Sequence, residues 1–437
     1  MRNRRASRVL RPPAFVYKGK ISTTSELFCE AISLEALAAR HGTPLYVYST
    51  AMIRARLDAF AGAFHSIPHT LCYSAKANST LAILRLVAGE GAGFDVVSGG
   101  ELQRVLQVKR TAASKVVFSG VGKTAAEMEL ALRSGILLFN IESASELTLL
   151  SATAARLKKH AAIAVRVNPD VSAKTHPYIS TGLHQHKFGV PIPEARTLYA
   201  RAAKLPALKV AGVSVHIGSQ ITDVDSFREA LERVADLVVS LRQKRHDIRY
   251  IDAGGGLGIS YNAEGTLKNS DFEQQIAAYA SAVLGPLREL KLHLLLEPGR
   301  SIVGAAGVLL TRVLYRKTNR RKRFLIVDAA MNDLLRPSLY DAYHEIVPVS
   351  PKSRETEITD VVGPICETGD FFARDRRLPR VGEGDLLAIL DAGAYGSVLG
   401  SNYNTRGRTA EVLVDGANAK VIRRRESFED QLRMEKF

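Results

Sequence analysis

Residues 71–98 read LCYSAKANSTLAILRLVAGEGAGFDVVS. Two short, nearly all-apolar runs, Leu71–Lys76 and Gly93–Ser98, flank a stretch of helical period in which Leu81, Leu84 and Val87 recur on one face. Ser79 stands where it can cap that helix and Gly89 where it can end it. Strand, helix, strand, with the strands apolar on both faces, is the pattern of a parallel pair covered from two sides.

The same unit recurs along the chain. Val116–Gly120, Leu137–Glu142, Ile163–Asn168, Ala211–Gly218, Arg249–Gly256 and Leu292–Gly299 bring the runs to eight. One intervening helix begins near Asp225 and aligns Phe227, Leu231, Val234, Leu237/Val238 and Leu241 in a stripe. Eight strands with helical crossovers over roughly 230 residues predict an α/β fold, a TIM (β/α)8 barrel, ahead of an open doubly wound sheet. After Gly299 the rhythm changes. Val308–Tyr315, Phe324–Asp328, Glu357–Val362, Asp385–Leu390 and Ala410–Val414 follow at hairpin-like spacing and predict a C-terminal mostly-β domain. Pro44–Tyr48 reads as a further strand near the junction. The expected layout is a basic arm at 1–24, a segment at 25–48 joining the β domain, the barrel at 49–303 and the β domain at 304–437.

The chain of 437 residues carries a formal charge of +16, concentrated in two places. Arg2, Arg4, Arg5, Arg8, Arg11, Lys18 and Lys20 lie in an acid-free start, and Arg312, Arg316, Lys317, Arg320, Arg321, Lys322 and Arg323 lie in an expected hairpin. With no groove-reading element between them, they read as a solvated arm and a charged turn, and no nucleic-acid partner is expected. No apolar run is long enough to span a bilayer, so no membrane association is expected. Cys29, Cys72 and Cys366 are too sparse for a disulfide framework and suit a reducing, cytoplasmic compartment. His176, His184 and His186 cluster without the cysteines or carboxylates of a zinc set, so no metal is expected.

Function in a barrel gathers at the C-terminal strand ends. Those ends carry Lys76, Asp95, Glu142, Arg166, His216, Ser219, Gly254-Gly255-Gly256, Glu297 and Gly299-Arg300. Taken singly, each has a plainer reading: a surface lysine, a core histidine, a glycine turn, a salt-bridged loop. Together they have a chemical logic. A desolvated lysine with a lowered pKa attacks carbonyls. Three glycines leave N–H groups for a phosphate. A carboxylate can hold a pyridinium proton, and an imidazole can stack on a flat ring. The set describes a pyridoxal phosphate site.

At these residues the chain resembles the alanine racemase-like group of pyridoxal phosphate enzymes, and within it the diaminopimelate decarboxylases. The stretches that carry the likeness are Tyr73–Asn78, Phe94–Glu101, His216–Gln220, Gly254–Gly258 and Glu297–Arg300, then Asp328–Tyr340, Gly363–Asp370 and Ala394–Gly396. The resemblance implies that Lys76 carries the cofactor, His216 stacks on its ring and Glu297 meets the ring nitrogen. Ser219, Gly256, Gly299 and Arg300 would bind the phosphate. Arg300, Arg336 and Tyr340 would grip an amino-acid substrate, and Tyr395 would touch cofactor and substrate. Cys366 would donate a proton and Glu367 would contact the distal amino group, both from the neighbouring subunit of a homodimer. The implied reaction is decarboxylation of meso-2,6-diaminopimelate to L-lysine. An ornithine- or arginine-type decarboxylase is the alternative.

Overall fold

Eight parallel strands close into a barrel: His69–Ser74, Gly93–Val96, Val116–Phe118, Leu138–Ile141, Ala161–Asn168, Leu208–Val215, Tyr250–Asp252 and His293–Leu296. The eighth pairs with the first and the fourth with the fifth, so no edge is left open. The structure, a computed structural model, describes residues 14–19, 25–171, 187–261 and 269–436, the side chains of 269–271 excepted. Each strand overlaps one of the eight apolar runs. In seven of the eight it stops short of the run's C-terminal end, because those last residues bend out of the ladder into the loops that carry the site. The helix after the first strand spans Leu81–Gly89, with Thr80 rather than Ser79 at its N-terminus and no side-chain cap. It buries Ile83, Leu84, Val87 and Ala88 and leaves Leu81 exposed, so the stripe read from the sequence is turned by about half a face. The helix Asp225–Gln243 buries all six expected residues.

The period of two along a strand sorts the barrel interior into layers. Cys72, Val117, Leu138, Ala164, Ala211 and Leu295 form a fully buried apolar layer. Two residues further along five of those strands come Ser74, Ser119, Asn140, Arg166 and Glu297, and the sixth and seventh strands add Ser214 and Asp252, all buried. A polar floor therefore lies on an apolar plug.

Most of the remaining strands form a second sheet. Leu45–Ser49, with every residue buried, pairs antiparallel with Gly307–Leu310 and parallel with Ala410–Val414. Phe371–Pro379, Ile346–Pro348, Asn418–Arg423 and a small sheet of Phe15–Lys18, Glu26–Cys29 and Ile32–Ser33 escape the sequence reading. The first of these reads FFARDRRLP and shows its charges to solvent, which masks its strand character. The basic hairpin is Gly307–Asn319 with Lys322–Val327, and neighbouring acids answer part of its charge: Arg316 pairs with Glu357 at 2.7 Å and Lys322 with Asp360 at 3.0 Å. Residues 1–13 and 20–24 of the arm, and His176, His184 and His186, lie outside the described residues. Among the described residues no His, Cys, Asp or Glu cluster could hold a metal, and no helix is long and apolar enough to cross a membrane.

Candidate active site

The first barrel strand ends in a single tight turn, Ala75–Ala77, which lifts Lys76 over the barrel mouth. A cavity there is lined by Ser74, Lys76, His216, Ser219, Gly256, Leu257, Glu297, Gly299, Arg300 and Tyr395. Tyr395 comes from the β domain. Its backbone N–H donates to Ala77 O at 2.8 Å, and it adopts φ +55°, a left-handed conformation rare for tyrosine. Asn78 Nδ2 donates to Gly393 O at 3.2 Å, so the two domains are stitched together beside Lys76.

Lys76 Nζ donates to Asp95 Oδ2 at 3.2 Å, and Ser74 Oγ to the same oxygen at 2.6 Å. The sequence led to an expectation of a lysine with a depressed pKa. The structure reverses it. Burial alone would lower the value, but the Asp95 carboxylate, 3.2 Å away, outweighs burial, and the lysine is held well up as an ammonium. Lys76 therefore has to release a proton before it can bond to a carbonyl carbon.

His216 behaves in the opposite way. Burial, then the Arg166 and Lys76 charges, push its pKa far down, so its ring is neutral. Gly255 N–H donates to His216 Nδ1 at 3.2 Å, which leaves the ring hydrogen on Nε2. A neutral imidazole fixed at its edge is suited to lie against a flat ring. Arg166 is occupied by Glu142 at 3.1 Å, whose other oxygen accepts Gly189 N–H at 2.9 Å.

The glycine run meets a tighter constraint than phosphate binding alone. Gly254 and Gly256 have φ +66° and +105°, and a Cβ on Gly255 would stand 2.2 Å from Glu297 O. The turn folds back over strands six and eight, so Gly254 N–H serves Asp252 Oδ1 at 2.9 Å and Gly255 N–H serves His216. Of the three N–H groups expected for a phosphate, the first two are thus committed inside the protein. Only that of Gly256 has no partner among the described residues. Ser219, to which Arg300 Nη2 donates at 3.3 Å, lines the cavity beside it.

Glu297 is buried, accepts from Ser119 Oγ at 3.1 Å and has its pKa pushed well up by burial, then by Asp252 and Asp95. Arg300 and Arg336 are both buried and both touch Tyr261. Arg300 Nη1 donates to the Tyr261 hydroxyl at 2.5 Å, and the Arg336 guanidinium lies 4.6 Å from the ring centre. Arg336 Nη1 also donates to His344 Nε2 at 2.8 Å, while His344 Nδ1–H donates to Leu390 O at 2.8 Å. Arg300 Nε is buried with no hydrogen-bond partner among the described residues. Tyr340 lies near enough to Arg300 to add to the interactions that keep its guanidinium charged.

Cys366 and Glu367 do not join this constellation within one chain. Both are exposed, on the turn after the strand Thr356–Val362, with Cys366 N–H donating to Asn404 Oδ1 at 3.0 Å. Asp252, Asn140, Ser119, Tyr261 and His344 were missed in the sequence. The first three carry a signal, polar residues in the inward register two positions past Tyr250, Leu138 and Val117. Tyr261 and His344 carry none.

The donor set fits a flat, anionic, heteroaromatic aldehyde: an amine at one end, a neutral ring to stack on, a carboxyl at the floor and a half-open cationic cradle. A family model described as the pyridoxal binding domain of pyridoxal-dependent decarboxylases matches residues 50–304, more than half of the chain. A diaminopimelate decarboxylase of Pseudomonas aeruginosa is 52% identical over 406 residues, 93% of this chain and 96% of that protein. Two crystal structures share the fold: diaminopimelate decarboxylase of Helicobacter pylori complexed with L-lysine (TM-score 0.86, 44% identity, 92% and 98% of the two chains), and that of M. jannaschii in complex with L-lysine (TM-score 0.88, 37% identity, 97% and 98%).

Proposed function

We propose, from the premise that this chain belongs to the diaminopimelate decarboxylase family of pyridoxal-dependent enzymes, that it converts meso-2,6-diaminopimelate to L-lysine and CO2. The observation that carries the substrate choice is the pair Arg300 and Arg336. Two buried guanidiniums touch one tyrosine, and neither has an Asp or Glu salt-bridge partner among the described residues. Buried cations of this kind are stable only when an anion completes them. Diaminopimelate has two carboxylates, so one can leave while the other is gripped. Ornithine and arginine have a single carboxylate, which departs, and would leave Arg336 unanswered.

When bound, pyridoxal phosphate supplies a conjugated, protonated ring that accepts the electron pair left by departing CO2. The protein's own groups do the rest. Lys76, held by Asp95, would anchor the cofactor through its amine. His216 would stack on the ring, and Glu297 would hold a proton at the ring nitrogen. Gly256 N–H, Ser219, Gly299 and Arg300 take the phosphate, and Tyr395 closes the mouth. Arg300, Arg336 and Tyr340 orient the retained carboxylate, away from bulk water.

We infer that the new α C–H proton comes from the thiol of Cys366 of the partner subunit, with Glu367 of the partner subunit meeting the distal ammonium. The exposure of both side chains, together with a single-chain cavity lining that contains no thiol, supports a homodimer with shared sites. Mixing inactive Lys76→Ala and Cys366→Ala proteins should restore about a quarter of wild-type activity, since half the random dimers hold one intact site. No recovery would remove the shared site. Release of CO2 from ornithine or arginine but not from meso-diaminopimelate would reverse the substrate assignment.

A further inference from the structure

Beneath Glu297, the polar floor of the barrel holds a carboxylate with no role in the scheme above. Asp252 is fully buried at the end of strand seven. Its Oδ2 accepts from Asn140 Nδ2 at 2.6 Å and Ser214 Oγ at 3.1 Å, and its Oδ1 accepts from Gly254 N–H at 2.9 Å. The Glu297 carboxyl lies close enough to share a hydrogen with it. Ser119 and Asn140 close a second path between the two: Asn140 Nδ2 donates to Ser119 Oγ at 3.0 Å, and Ser119 Oγ donates to Glu297 Oε1.

Two buried carboxyls in hydrogen-bond contact cannot both be ionised, since the bond between them needs a hydrogen. Counting donors decides where that hydrogen sits. Asp252 receives three hydrogen bonds from Asn140, Ser214 and Gly254, whereas Glu297 receives one from Ser119. A carboxylate with more donors is the better anion, so Asp252 carries the charge and Glu297 the proton. The other ionisable groups facing the pair are Asp95, Lys76, the Cys72 thiol and the Tyr279 hydroxyl. Asp95 and Lys76 offset each other, which leaves one net negative charge at the floor.

Resting on the reading that this mouth binds pyridoxal phosphate, we propose that Asp252 is a positioning residue that keeps Glu297 loaded with the proton destined for the cofactor's ring nitrogen. The proton passes from the Glu297 carboxyl to that nitrogen. The hydrogen bond between the two carboxyls would then be given up: Glu297 would become the carboxylate that pairs with the new pyridinium, whose positive charge compensates it, and Asp252, still held by Asn140, Ser214 and Gly254, would oppose the proton's return to bulk water. The same side chain ties down Gly254 N–H, so the charge on the floor and the shape of the glycine turn are set by one residue.

The test begins on the cofactor-free protein, labelled with carboxyl-13C glutamate, by infrared titration. A protonated glutamic acid carbonyl stretch should persist at neutral pH in the wild type and lose one component in Glu297→Gln, leaving that of Glu101, whose pKa burial pushes up to about 7. In Asp252→Asn the titration midpoint of the Glu297 component should fall by about one pH unit or more, and in Ser214→Ala, a milder change that keeps the charge, the midpoint should move in a measurable way as the proton shares toward Asp252. On the loaded enzyme, the 15N resonance of ring-labelled cofactor should move toward the unprotonated value in Asp252→Asn. The turnover number should drop about tenfold while KM stays within about threefold. Absence of the Glu297 component in the cofactor-free wild type, or a midpoint unmoved in both variants, overturns the proposal. Because the infrared arm needs neither cofactor nor substrate, its failure is separable from any failure of the decarboxylase reading.

Discussion

The two ends of the barrel both gather arginines, and they use them differently. At the foot, where the strands begin, a wide cleft is lined by Arg242, Arg245, Arg249, Arg288 and Lys291 among apolar side chains such as Ile248 and Leu292. There Arg242 is spent on Ile248 O and Leu290 O at 2.8 and 2.6 Å, and Arg249 pairs with Asp247 at 3.2 Å. At the mouth, Arg300 and Arg336 are only 7% and 5% exposed and find a tyrosine and a neutral histidine instead of acids. Cations at the foot are solvated, and Arg242 and Arg249 among them are also satisfied within the protein. Cations at the mouth are desolvated and lack a counter-charge. The width of a cleft is thus a poorer guide to chemistry than the unpaid charge inside it.

Removing the amine at the mouth should separate the ends most sharply. Lys76→Ala should abolish the visible absorbance of the lysine-bound cofactor and cut turnover by about a thousandfold or more; a wild-type spectrum would detach Lys76 from the cofactor. Arg336→Ala should cost about 1.5–3 kcal/mol in kcat/KM for meso-diaminopimelate, a loss of roughly ten- to a hundredfold. Steady-state kinetics that show no loss would place the arginine pair alongside those of the foot.

A smaller effect concerns His344, which orients Arg336. Burial, then the Arg336 charge, lower its pKa from 6.5 to about 3. The unfolded chain takes up a proton as the pH falls through 6.5, and the folded chain does not. Stability contributed by this group is therefore intact above 6.5 and drains away as the pH falls toward 3, at up to about 1.4 kcal/mol per pH unit. His344→Gln can still accept from Arg336 and donate to Leu390 O without titrating. Urea denaturation at neutral and at mildly acidic pH should show a shallower acid loss in that variant. An unchanged slope would mean that the histidine does not stay neutral. At the foot, Arg245→Ala should alter stability by no more than about 0.5 kcal/mol and leave kcat/KM unchanged; a clear loss of activity would erase the contrast between the two ends.

Much of this was legible in the residues, and the gaps have physical causes. The eight barrel strands were visible because parallel strands buried on both faces stay apolar along their length. Phe371–Pro379 was not, because one face is open to water and carries Arg374 and Arg377. Lys76, His216, Glu297 and Arg300 stand out in short motifs at strand ends, and one cavity brings all four together. Asp252 hides inside the apolar run Arg249–Gly256, since only the barrel register shows that it faces inward. The lysine's raised pKa was misjudged for a related reason. Burial can be guessed from sequence, whereas the 3.2 Å approach of Asp95 needs two strands in register. Likewise, that Gly254 and Gly255 spend their N–H groups within the protein follows from the fold of the turn, not from its composition.

The strand Leu45–Ser49 has a consequence for how the chain is made. Its partners lie at 307–310 and 410–414, on the far side of the whole barrel in sequence. At ribosomal rates of about 5–20 residues per second, this apolar strand emerges roughly 20–70 s before the second partner exists. The barrel can complete itself in that interval, while the sheet waits for its central strand to be claimed. The nascent chain therefore carries a bare, sticky ribbon through most of its synthesis, and that ribbon is where a holding chaperone would be most useful.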